Sequence, residues 1–266
     1  MSMDAQQRIA LLIDAENVPA HHIGRVIGEL ERYGSTFVRR AYGDFNGPQA
    51  SMWEQVFARH AIVPQHQYAY GRRKNSADIA LVIDAMDLLH AGEVDAFCIV
   101  SSDSDFLRLA IRIREQAVDC YVFGSAKTPE RFRQAATRFV YLENLRYSPL
   151  NIADHARMKP VRPVSEALRY IREAIAHLVH DDMGSWVQLH LLERELGRQN
   201  SDFDPRTYGH LQLKDLLVAL KRNVVVDSQK NGQTRIRLKI KKQKAKPGSA
   251  GTRPGHNAAD NPPTGT

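Results

Sequence analysis

Residues 96–116 read AFCIVSSDSDFLRLAIRIREQ. The apolar run at 96–101 has the composition of a strand buried on both faces. It breaks into a short polar turn, Ser101-Ser102-Asp103-Ser104-Asp105. Phe106, Leu109, Ala110 and Ile113 then recur at helical spacing, so a helix is expected over 103–116. A buried strand followed directly by an amphipathic helix is one unit of a parallel α/β sheet. The same alternation extends outward in both directions, with strands expected at 9–13, 36–42, 61–65, 120–123 and 139–141. The helix expected at 76–90 carries Ile79, Val82, Ile83, Met86 and Leu89 on the face assigned to the core. The first 146 residues therefore read as a parallel sheet sandwiched by helices.

In such a sheet, groups at the carboxyl ends of the strands converge on one crevice. Asp14 closes the first strand, within LLIDAEN, while Asp103 and Asp105 follow the fourth. Asp78 lies in the first turn of the helix that follows GRRKNSAD. If the first and fourth strands are neighbours, all four carboxylates share one crevice. Two like charges ~4 Å apart repel by about 4 kcal/mol at an effective dielectric of 20. A divalent cation reverses that sign. Oxygen ligands without His or Cys point to Mg²⁺ or Mn²⁺ rather than zinc. Each acid alone has a plainer reading as a helix cap; the metal reading rests on the four together. Asp84 is six residues beyond Asp78 and so projects elsewhere on the same helix.

The 266 residues carry a net charge of +7, unevenly spread: −1 over 1–146, +4 over 147–240 and +4 over 241–266. An anionic partner is therefore expected in the C-terminal half. Cys98 and Cys120, the two cysteines, sit in apolar runs and read as reduced structural thiols. No apolar run approaches the ~18 residues of a membrane span, and a cytoplasmic protein is expected. Residues 147–163, with three prolines, read as a linker. A second unit over 164–240 has helices expected at 165–178, 186–196 and 211–221. Strands at 224–227 and 234–238 follow, joined across Asn231-Gly232, a strong hairpin signal. Three helices and a terminal hairpin describe a winged helix. Residues 241–266, rich in Lys and then in Pro, Gly and small polar residues, read as a disordered tail whose lysines form an electrostatic arm.

LLIDAENV, KNSADIALVIDAMDLL, VSSDSDFLRLAIRIRE and TPERFRQAATRFVYLENL together resemble an NYN domain of the LabA-like group, a branch of the PIN-like nucleases, over about residues 8–146. The resemblance implies a metal-dependent ribonuclease fold in which Asp14, Asp78, Asp103 and Asp105 hold Mg²⁺ or Mn²⁺ and Asn17 supports the site. Residues 164–240, through SWVQLHLLERELGRQNSDFDPRTYGHLQLKDLLVAL and VVVDSQKNGQTRIRL, are similar to the LOTUS or OST-HTH domain. This implies RNA binding, or in some members a protein partner. Within that unit, Trp186, Phe203 and Tyr208 read as core and turn anchors. Lys214, Arg222, Lys230 and Arg235 are the candidates for phosphate contact, as are Arg72, Arg73 and Lys74 before Asp78.

Metal-assisted hydrolysis of RNA is the expectation these features share. Two rivals stand beside it. An RNA-binding adaptor with a vestigial acidic pocket predicts binding without cleavage. A phosphatase would use Asp103-x-Asp105 as its nucleophile motif, but that motif usually closes the first strand of its sheet and here closes the fourth. A P-loop is not supported, because Gly124 and Lys127 lack the required frame. The eleven histidines form no metal-binding pattern.

Overall fold

The computed structural model describes residues 6–46, 50–66, 75–146, 159–179, 184–229 and 233–239. The first unit runs β1 (Gln7–Asp14), α1 (Ile23–Leu30), β2 (Gly34–Gly43), α2 (Ala50–His60), β3 (Val63–His66), α3 (Ser76–Ala91) and β4 (Ala96–Val100). It continues with α4 (Leu107–Glu115), β5 (Asp119–Gly124), α5 (Glu130–Ala135) and β6 (Arg138–Tyr141). Its six strands are all parallel, in the order β3-β2-β1-β4-β5-β6. The chain moves from β1 toward one edge and then crosses back to β4 on β1's other side. That reversal opens a crevice at the carboxyl ends of β1 and β4.

The apolar runs in β1 and β4 are explained by burial on both sides. Ala10 and Leu12 join the core under α3 and α4, while Ile9, Leu11 and Ile13 join the core under α1. Both cysteines are buried free thiols, Cys98 in β4 and Cys120 in β5, and burial pushes the Cys120 thiol up to about 12. The core face of α3 differs from the expected one. Ala77, Leu81, Ala85 and Leu88 are buried, whereas Ile79 and Ile83 are 59% and 55% exposed. Val82, Met86 and Leu89 pack at the margin of the core. The helix is apolar almost all round, so spacing alone favoured the bulkier residues over the smaller ones that let the helix approach the sheet.

The second unit comprises α6 (Val164–Val179), β7 (Val187–Gln188), α7 (Leu189–Gln199), α8 (Leu213–Ala219), β8 (Val224–Ser228) and β9 (Thr234–Leu238). β7, β9 and β8 form an antiparallel sheet, giving a winged helix. Its core includes Ile171, Leu192, Phe203, Tyr208, Leu216 and Ile236. The helix expected from residue 186 begins instead at Leu189, because Val187 is drawn into a pairing with Ile236 and buried there. The expected Asn231-Gly232 turn, residues 147–158 of the expected linker and the tail beyond residue 239 lie outside the described residues.

The two units are joined by specific bonds. At the outer edge of β6, the Phe139 amide donates to the Ser201 carbonyl at 2.9 Å. The Ser201 hydroxyl donates to the Arg133 carbonyl at 2.7 Å, and the Asn144 amide group donates to the Thr207 hydroxyl at 2.9 Å. Arg206, 5% exposed, is held by Asp204 within its own unit and by Glu29 of α1, at 2.7 and 2.8 Å. Residues just before α6 are pinned as well, with the Val161 and Arg162 amides both donating to the Thr207 carbonyl.

Candidate functional site

Asp14 ends β1 with its side chain 1% exposed. A carboxylate so deep requires hydrogen-bond donors. They come from three sources: the Asn17 amide at 3.1 Å, the Asn17 side-chain nitrogen at 2.7 Å and the Ser101 hydroxyl at 2.6 Å. Asn17 is delivered by the tight turn after β1, in which the Val18 amide donates to the Asp14 carbonyl. Ser101 is delivered from the next strand by the register that sets Ile13 beside Val100.

Ser101 also accepts from the Asp103 amide at 3.0 Å. One hydroxyl therefore ties the acid of β1 to the turn that carries the acids of β4. Asp103 caps the short 3₁₀ turn Ser104–Phe106 by accepting from the Asp105 amide at 2.9 Å. Ser102 bonds Ser125, fastening the same turn to the end of β5.

Asp78 occupies the first turn of α3, as its position after Asn75 and Ser76 requires. Its carboxyl is pushed up to about 6, first by burial and then by the negative charges of Asp14, Asp103, Glu16 and Asp105. With Asp78 itself, those acids come from three separate segments and share one field. Glu16 is the member that sequence reasoning missed. It lies at neither a strand end nor a helix start, and its only signal is its position two residues after Asp14.

None of Asp14, Asp78, Asp103 and Asp105 has a Lys or Arg ion-pair partner among the described residues. Asp84 provides the contrast. It accepts from Arg40 at 2.9 Å and from the Tyr42 hydroxyl at 2.8 Å, which occupies it structurally. Among the described residues no three His, Cys, Asp or Glu side chains stand close enough to hold an ion unaided. The donor set itself is carboxylate oxygen without His or Cys, which is the chemistry of Mg²⁺ or Mn²⁺ rather than zinc.

The candidate phosphate contacts are dispersed. Arg72, Arg73, Lys74 and Lys230 lie outside the described residues. Lys214, on α8, lines a groove between the two units together with Arg32 and Arg138 of the first. Arg222 is exposed in the turn before β8. Arg235, on β9, pairs with Asp227 at 2.7 Å. Trp186, expected in the core, is instead 36% exposed, with the guanidinium groups of Arg235 and Arg237 at 4.5 and 4.7 Å from the ring centroid. The strand pairing of Val187 with Ile236 sends Val187 inward and Trp186 to the outer face beside these two arginines.

A family model of the NYN domain matches residues 8–143, and a model of the OST-HTH/LOTUS domain matches residues 166–236. Among solved structures the chain is similar to a protein of unknown function from Vibrio parahaemolyticus RIMD 2210633. The two are 22% identical over 53% of this chain and 96% of that one, with a TM-score of 0.45. No curated protein matches the chain. Among the described residues no helix is long and apolar enough to cross a membrane.

Proposed function

The chain belongs to the NYN domain family, within the PIN-like nuclease superfamily, and carries an OST-HTH/LOTUS domain of the RNA-binding kind behind it; on that premise we propose that it is a metal-dependent ribonuclease that hydrolyses RNA phosphodiester bonds. The observation that carries this reading is the shared field of the acids. The carboxyl of Asp78 in α3 is pushed up first by burial and then by carboxylates at the end of β1 and in the turn after β4, and none of Asp14, Asp78, Asp103 and Asp105 has a Lys or Arg ion-pair partner among the described residues.

In this reading Asp14, Asp78, Asp103 and Asp105 hold Mg²⁺ or Mn²⁺, directly or through water. Such an ion, when bound, supplies polarisation of water and neutralisation of charge on phosphate oxygens. The protein's own part is orientation. Asn17 and Ser101 fix the Asp14 carboxylate through three hydrogen bonds, and Ser101 sets the spacing to Asp103. The second domain, bonded to the β6 edge, holds RNA through basic residues that include the exposed Lys214 and Arg222 and the half-buried Arg235. Residues 241–266 add a basic arm whose attraction fades as salt rises.

A second reading is favoured by one observation: the acids do not by themselves close a coordination shell. An RNA-binding adaptor would tolerate that spacing. Incubating the full chain with single-stranded and structured RNA under Mg²⁺, Mn²⁺ or chelator, beside the Asp103→Asn/Asp105→Asn variant, separates the two. The nuclease reading expects cleavage that needs metal and disappears in the variant. Binding without cleavage selects the adaptor, and undiminished cleavage by a folded variant refutes the site.

A further inference from the structure

Between α1 and α2 lies a cavity of about 480 Å³ whose lining includes His21, Gly24, Arg25, Gln55, Arg59 and His60. Every ionisable group in that lining is a base, although residues 1–146 carry a net charge of −1. Arg25 and Arg59 have no carboxylate partner among the described residues. Arg8, Arg32, Arg40 and Arg112 of the same unit each have one. Two unpaired guanidinium groups facing one recess raise the local positive potential and attract anions. A guanidinium fork also matches phosphate oxygens geometrically.

Two further features make this a site rather than a scatter of surface charge. Gly24 leaves room for His60: a Cβ at residue 24 would stand 3.2 Å from the His60 ring nitrogen, so the glycine allows the imidazole to lie against α1. Burial, and then the neighbouring Arg59 and Arg39, lower the His60 proton affinity. The volume falls in the roughly 300–1,000 Å³ range of sites for small organic groups rather than bare ions. The wall of the cavity starts at Ala20, on the segment that leaves Asp14 after β1.

We infer that this cavity is a phosphate subsite that holds the backbone of an RNA strand on the α1–α2 face, with Arg25 and Arg59 supplying the charge. The inference rests on the reading of the chain as a protein that acts on RNA. It adds a second anchoring point, on the NYN domain itself and separate from the winged helix. Phosphate contacts of this kind position a strand without reading its sequence.

The test uses the full chain carrying Asp103→Asn/Asp105→Asn, so that RNA stays intact, and an unstructured 12-nucleotide oligoribonucleotide titrated at several salt concentrations. Adding Arg25→Gln/Arg59→Gln should lower affinity about tenfold at low salt. It should also flatten the plot of log affinity against log salt by about 1.4, since each single-strand phosphate contact contributes about 0.7. Arg25→Lys/Arg59→Lys keeps the charge and should restore most of the slope. If the double glutamine variant melts poorly, Arg25→Gln alone should flatten the plot by about 0.7 and decides the matter.

Unchanged affinity and slope in a folded glutamine variant overturn the inference. A variant that loses binding of inorganic phosphate yet keeps the RNA slope also overturns it, because the cavity then takes free phosphate instead. Cleavage is scored separately with Asp103 and Asp105 intact. A slope change without any metal-dependent cleavage refutes the nuclease reading and leaves the subsite standing, whereas failure of the parent chain to bind RNA refutes both.

Discussion

Ser101 shows how one small side chain organises a charged site. It donates a hydrogen bond to Asp14 and accepts one from the Asp103 amide, joining two strands at the floor of the crevice. Ser101→Ala leaves a buried carboxylate short of a donor and an amide short of an acceptor. A loss of about 1–3 kcal/mol in urea unfolding is expected. Asp78 makes a prediction of opposite character. Its folded carboxyl titrates near 6 against an ordinary 3.8, so protonation favours the fold. This contribution is fully present only below pH 3.8 and is lost as pH rises through about 6. In chelator, the melting temperature of the parent chain relative to Asp78→Asn should rise as pH falls from 7.5 to 5. A gap that does not move with pH would contradict the shared field. The placement of Asp14 at a strand end and of Asp103 and Asp105 at a helix start was legible in the sequence because strand ends and helix starts announce themselves by composition. Glu16 and the double role of Ser101 were not, because a loop position and a hydroxyl's two partners are set by tertiary packing.

At the scale of elements, the parallel alternation of strands and helices was readable because β1 and β4 are apolar on both faces. Orientation within an element was less so. Helix α3 offers large apolar residues in several directions, and the close approach of the sheet selects Ala77, Leu81 and Ala85. Leu81→Ala should therefore cost about 2–5 kcal/mol. Ile79→Lys/Ile83→Lys should stay within about 0.5 kcal/mol per site. Chemical denaturation of the two variants compares them directly, and the reverse order would restore the face expected from spacing. The start of α7 was misplaced for a related reason. Val187 suits strand and helix patterns alike, and only the arrival of β9 beside Val187 and Gln188 decides for a strand.

For the whole molecule, the two domains were legible but their contact was not. The proline-rich stretch between them suggests a tether that merely raises local RNA concentration. The structure instead bonds the second domain to the edge of β6 and to α1. Arg206 is the centre of that contact, buried between Asp204 and Glu29. Removing one member of a buried ionic group strands the others, and Arg206→Ala should cost about 3–5 kcal/mol. Calorimetry should show one cooperative transition for the parent chain and two for the variant; unaltered single-step melting would mean that the contact contributes little. With the domains fixed to each other, RNA held by the winged helix in the proposed way would reach the crevice from a set direction.

The proposed function depends on acids from β1, α3 and the turn after β4 acting together on a divalent ion. Titrating the full chain with Mn²⁺ at pH 7.5 and following the free ion by electron paramagnetic resonance measures that directly. The parent chain should withdraw Mn²⁺ from solution, and Asp14→Asn and Asp103→Asn should each weaken the uptake at least about tenfold. Uptake unchanged by both substitutions, or none by the parent chain, would contradict the account.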